Sequence, residues 1–202
     1  MMLYVRMFVL MLVGLYTSRV VLNALGETDY GIYSVVGGVV AMFTMISGAL
    51  NSAVSRFITF ELGKGDPVRL NKVYSTSVNI QLMLALIVVL LAEPIGLWFI
   101  GNKMTIDPAR IPAATWVLHF SLLAFAINLM SIPQMASITA HEKMSAYAYI
   151  GMLDGLLRLG VAFMIPKSPI DRLVYYAMLM AAVVIVVRFA YGIYCRINFP
   201  EC

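Results

Sequence analysis

Charge is scarce in this chain. Asp, Glu, Lys and Arg make up 12% of its 202 residues, against about 25% in a soluble domain. Hydrophobic residues make up 62%, and the mean hydropathy of +0.91 describes the whole length, not one end. That excludes a soluble protein behind a cleavable leader. Cysteine is nearly absent: Cys195 and Cys202 sit near the C-terminus and form neither a metal-ligand spacing nor a disulfide framework. The only histidines, His119 and His141, lie on different segments with no Cys or carboxylate cluster beside them. There is no Walker motif, which argues against direct ATP use. Neither a cofactor nor a metal site nor a nucleic-acid partner is expected.

What is present is a series of long apolar runs. A spanning helix needs roughly 20 mostly apolar residues, and six segments qualify: about Leu3–Leu25, Tyr33–Phe57, Ser75–Ile100, Ala113–Ile138, Ala146–Ile165 and Leu173–Tyr194. The breaks between them, GETDYG, ELGKGDPVRLNK, GNKMTIDPARIP, AHEKMS and PKSPID, carry turn residues and charge. Pro112 suits the first turn of the fourth helix. The expected class is all-α, a polytopic bundle of six transmembrane helices. Basic residues concentrate in RFITFELGKGDPVRLNK, which favours the N-terminus and C-terminus both on the cytoplasmic side. The mixed stretch Phe57–Val73 is expected to lie along the inner interface.

A few polar groups interrupt the spans. Tyr16, Arg19 and Asn23 share one face of the first helix. Thr44, Ser47, Gly48, Asn51 and Ser55 form a small and polar stripe on the second. Tyr147, Gly151, Asp154 and Arg158 share a face of the fifth, where Asp154 and Arg158 are spaced for an ion pair. A charge at mid-bilayer costs about 2.5–3.5 kcal/mol on insertion scales, so such groups face a bundle interior or a wet cavity. Counted along their helices, Arg19 and Arg158 reach similar depths. Asp154 neutralises one of them, and the surplus cation suits an anionic substrate, since guanidinium forks onto phosphate oxygens. The bland alternatives are that Arg19 snorkels to the headgroups and that Asp154–Arg158 is structural. Gly37–Gly38 and Gly151–Gly155 read as sites of close helix approach. Pro94 and Pro133 interrupt the third and fourth helices.

The stretch SRVVLNALGETDYGIYSVVGGVVAMF, followed by GALNSAVSRFITFELGKGD, resembles the N-terminal part of Wzx-type polysaccharide flippases. These belong to the multidrug/oligosaccharidyl-lipid/polysaccharide exporter superfamily. The resemblance covers about residues 10 to 66. It implies one half of a MATE-like transporter of two six-helix bundles, in the bacterial inner membrane. The implied cargo is an undecaprenyl-diphosphate-linked oligosaccharide, met in the cavity by basic residues; Arg19 falls at the family's helix-one position. The candidate cavity set is Arg19, Asn23, Asn51, Asp154 and Arg158, of which Arg158 rests on helical face and depth alone. The family has twelve or more spans, so residues 1–202 read as a single N-terminal bundle whose second half is missing. A fragment is favoured over a half-length chain that pairs with a second copy. Membrane lipids and a second six-helix half or homodimer partner are the expected partners.

Three other functions compete with the flippase. A cation-coupled small-molecule exporter would place its weight on Asp154. A non-transporting assembly subunit would need none of the intramembrane charges. An integral-membrane enzyme is disfavoured, because the outer loops are short and hold no His–carboxylate or paired-carboxylate constellation.

Overall fold

The computed structural model describes residues 2–199, apart from the side chains of residues 2–6, 9 and 44–46. The side chains of Arg6 and Thr44, and Cys202, lie outside the described residues. The chain is all-helical, with no strand among the described residues. Its helices are α1 (Met2–Leu25), α2 (Glu27–Lys64), α3 (Pro67–Asn102), α4 (Ile111–Ala140), α5 (Met144–Met164) and α6 (Arg172–Asn198). Short 3-10 turns precede α4 (Pro108–Arg110) and follow α5 (Ile165–Lys167). The segments 27–64, 67–102, 108–140, 144–167 and 172–198 are long and apolar enough to cross a membrane, and α1 adds the shorter apolar helix Leu10–Leu25.

The helix ends follow local chemistry. Asp66 caps α3 by accepting from the Val68 and Arg69 backbone N–H groups at 3.0 and 3.2 Å. Pro67 then occupies the first turn of α3. Gly65 ends α2 with φ 71°, a left-handed conformation that a side chain would resist. So the stretch 57–73 does not lie flat along an interface as a separate segment. It is the tip of a hairpin in which α2 and α3 continue as helices to within a residue or two of the turn. Glycine and a capped Asp-Pro pair reverse the chain there without any loop. At the other end, α1 and α2 are separated by Gly26 alone. GETDYG is therefore mostly the first turn of α2, where Glu27 and Asp29 complement the positive end of the helix.

α4 is the hub, and α2, α3 and α6 all pack on it. The main core joins Val36 and Val40 of α2, Val88 and Ala92 of α3, Val117, Leu122 and Leu129 of α4, and Leu173 of α6. α1 packs chiefly on α5, and α5 in turn on α6. On α3 the buried residues Ser77, Gln81, Ala85, Val88, Ala92, Gly96 and Ile100 recur every three or four positions, one stripe turned to the bundle. Small residues on that stripe bring α3 close to α4. A Cβ at Gly96 would stand 2.6 Å from Leu118 Cδ2 and 3.2 Å from Leu118 Cγ. Glu93 and His119 pair across the same seam at 3.1 Å.

Gly96→Ala is therefore expected to lower the unfolding midpoint in detergent, by the equivalent of about 1–3 kcal/mol for an overpacked site. In the double variant with Leu118→Ala the loss should be smaller than the sum of the two single losses. Thermal unfolding of the four proteins checks this.

Candidate functional site

The site is organised around Arg158. Tyr147, Gly151, Asp154 and Arg158 share the α5 face that turns toward α4 and α6. Arg158 Nε donates to Asp154 Oδ1 at 2.9 Å, one helical turn back. The α1–α5 contact sits on the neighbouring face. There Gly155 is buried, and a Cβ on it would meet Leu10 of α1 at 2.6 Å. The expected close approach is present at Gly155.

Three hollows open around Arg158, and its side chain lines all of them. One, of about 280 Å³, lies between α2, α4 and α6, with Tyr33, Gly37, Phe125, Asn128 and Ala177 in its wall. A second, of about 220 Å³, lies between α4, α5 and α6 and includes Asn128, Ser131, Tyr147, Asp154 and Arg188. The third, of about 530 Å³, opens between α1 and α2 beside Thr17, Ser18, Tyr30, Ser34 and Gly38. Gly37 and Gly38 do not serve close helix packing as expected. No atom outside their own helix lies within 4 Å of where their Cβ atoms would be, and they leave room beside Arg158 instead. Tyr33 of α2 and Tyr176 of α6 meet with ring centroids 4.7 Å apart and form part of the walls.

Of the residues expected in a cavity, the fold brings Asp154 and Arg158 together and keeps Arg19, Asn23 and Asn51 apart from them. Arg19 and Asn23 lie on the exposed face of α1 and line none of the three hollows, although Ser18 beside them does. Asn51 is partly buried on α2, and its Oδ1 has no hydrogen-bond partner among the described residues. Counted from the Gly65 turn, it stands at about the depth of Gln81 on α3. Gln81 is wholly buried, with neither amide atom paired among the described residues.

Two participants escaped the sequence reading. Arg188 on α6 lines the second hollow with Asp154 and Arg158, and its Nη1 reaches Ser131 Oγ at 3.5 Å. A position-by-position count along the last span would have found it, since it lies 16 residues, about 24 Å, beyond Arg172. The second is Arg110. It pairs with Asp29 at 3.1 Å and also with Asp171, whose carboxylate caps α6 through the Leu173 N–H at 2.9 Å. Arg172 donates to the Ala24 carbonyl at 3.2 Å. The ends of α1, α2, α4 and α6 are thereby tied together at the Gly26 end of the bundle.

The exposed surface is of two kinds. α3 shows lipid-like side chains, among them Leu82, Leu86, Leu90, Ile95 and Trp98. From Ser34 to Arg56 on α2, Val35 and Met42 are the exposed large hydrophobics among the described residues. The other exposed residues described along that stripe are small or polar, Ser34, Gly38, Ala41, Gly48 and Ser52, ending at Arg56; the side chain of Met45, at the same helical spacing, lies outside the described residues. Arg19 is exposed on α1, and neither arginine has a carboxylate partner among the described residues. Residues 1–26 and 30–60 contain no Asp or Glu.

Residues 4–164, from α1 to the end of α5, match a family model described as MatE. No curated protein and no solved structure matches the chain.

Arg110→Ala leaves the buried carboxylate of Asp29 without its cation. Because Arg110 and Asp171 are each more than a third exposed, the loss should be modest, about 1–3 kcal/mol. The unfolding midpoint should fall clearly in Arg110→Ala and hardly at all in Arg69→Ala, whose pair with Asp66 is exposed.

Proposed function

The chain belongs to the MatE family of membrane transporters, and on that premise we propose that it serves a flippase for an anionic lipid-linked oligosaccharide. The cargo is an undecaprenyl-diphosphate-linked glycan moved from the cytoplasmic to the periplasmic leaflet of the bacterial inner membrane, for polysaccharide export. One observation supports this reading: the described exposed residues of α2 from Ser34 to Arg56 are mostly small or polar, Arg19 is exposed on α1, and neither stretch holds a carboxylate. Such a face is costly against lipid and suits a watery cleft shared with a second six-helix half, or with a second copy of this chain. A diphosphate passing along it would meet Arg19, with Asn23 one turn away and Ser18 beside it. The glycan would lie against Ser34, Gly38 and Ser52, where short side chains leave width. Asn51, Asp154 and Arg158 lie deeper and shape the bundle behind the cleft.

A second reading has its own support. Asp154 is the one carboxylate among the described residues lining the three hollows, which is the position a proton or sodium ion would take in a cation-coupled exporter of small molecules. In that case Asp154→Asn abolishes coupled transport and Arg19→Ala is silent.

The two readings separate in cells that depend on this protein for surface polysaccharide. Arg19→Ala should let lipid-linked oligosaccharide accumulate on the inner leaflet. The loss of flux should be about tenfold or more, the worth of one charge-assisted contact of about 1.5–3 kcal/mol. Arg19→Lys should recover part of it, since charge survives but the fork does not. Full export in Arg19→Ala, at normal protein levels, would remove the cleft role.

A further inference from the structure

The hollow between α4, α5 and α6 holds more positive charge than it answers. Arg158 spends Nε on Asp154, and its Nη groups make no hydrogen bond among the described residues. Arg188 has one described hydrogen bond, to Ser131 Oγ at the long distance of 3.5 Å. Ser131 contributes only a lone pair there, because its hydroxyl donates to the Ile127 carbonyl at 3.0 Å. No pair between Asp154 and Arg188 occurs within 4.0 Å among the described residues. Guanidinium groups stay protonated, so two cations face one carboxylate that is already engaged. Both sit deep: Arg158 is about 21 Å from the start of α5, and Arg188 about 15 Å from the end of α6. Asn128 adds an amide to the wall.

We propose that this hollow is a binding site for a small phosphate-type oxyanion, held between the forks of Arg158 and Arg188. Its size sets the class. At about 220 Å³ it lies below the range of about 300–1,000 Å³ usual for drug-sized ligand pockets, so it suits a phosphate group with a few waters better than a sugar chain. Its charge sets the sign, and the planar donor forks set the preference for an oxyanion with two oxygens to offer. The phosphate can come from solution or from a lipid headgroup entering between helices. Arg158 also lines the α1–α2 hollow, whereas Arg188 belongs, among the three described hollows, to this one alone, and the site does not depend on which cargo moves along the α2 face. Asp154 competes with the anion for Arg158, so occupancy draws Arg158 away from its own helix-mate toward α6.

The test uses the purified full chain in nanodiscs of zwitterionic lipid, with the unfolding midpoint followed by fluorescence of Trp98 and Trp116. Sodium phosphate is titrated against sodium gluconate at constant ionic strength. The native protein should show a saturable rise in midpoint with phosphate alone. Arg188→Gln should raise the half-saturating phosphate at least tenfold. Asp154→Asn should lower it several-fold, a gain that a merely structural carboxylate would not produce. Arg19→Gln should leave the phosphate response as it was, so failure here and failure of the flippase reading are told apart. In nanodiscs containing phosphatidylglycerol, loss of the phosphate response identifies a lipid phosphate as occupant, and its persistence identifies free phosphate; both uphold the site. An equal response to gluconate, no response in the native protein, an unchanged response in Arg188→Gln, or weaker binding in Asp154→Asn would overturn it.

Discussion

A guanidinium cannot give up its proton inside a membrane, and hydrocarbon offers it no partner. That constraint organises the middle of this bundle. Arg158 must be met by something polar, so Asp154 stands one turn away and the three hollows gather around its side chain. Arg188 obeys the same rule by turning inward to Ser131. Helices that would otherwise close on one another stand apart here, and Gly37 and Gly38 keep the space open on the α2 side. The bundle is tight where small residues meet large ones, as at Gly96 against Leu118, and open where the arginines need room.

Packing is divided accordingly. α4 binds α2, α3 and α6 into one unit, with its core built from Val117, Leu118, Leu122 and Leu129. α1 instead leans on α5 through Leu10 and Gly155. Between these groups lies the gap beside Ser18 and Ser34. The ion pairs of Arg110 close one end of the bundle and hold the helix ends in register. The two surfaces follow the same division, since the face of α3 is suited to lipid chains and that of α2 is not.

Much of the architecture was legible in the residues. Six apolar runs, broken by charged and turn-forming stretches, correspond to six helices, and the spacing of Asp154 and Arg158 gave their ion pair directly. The helix boundaries were less legible. GETDYG and GKGDPVRLNK look like loops by composition, but Glu27, Asp29, Asp66 and Pro67 are also good helix-start residues, and the helices run through them. The site was legible only in part, because spacing along one helix cannot say which way that helix is turned. Counting along the helices put Arg19 and Arg158 at similar depths, but Leu10 meets Gly155 and Tyr16 meets Phe163, so Arg19 stands roughly 10 Å further along the bundle than Arg158, and it is turned outward. Arg188 carries no local motif, and its meeting with Asp154 depends on α6 crossing α4 and α5. Gln81 lies in a run of leucines, where only packing makes its burial visible.

The hairpin of α2 and α3 has a mechanical consequence. At about 1.5 Å per residue the two helices are about 57 and 54 Å long, while the hydrocarbon layer is about 30 Å thick. Their reversal at Gly65 and Asp66 contains no slack. A push on the protruding tip is therefore carried along an unbroken rod past Ser52 and Gly38 to the ion-paired crown at Asp29. Torque applied at one face of the membrane arrives at the other as rotation of a whole helix, with little to absorb it on the way.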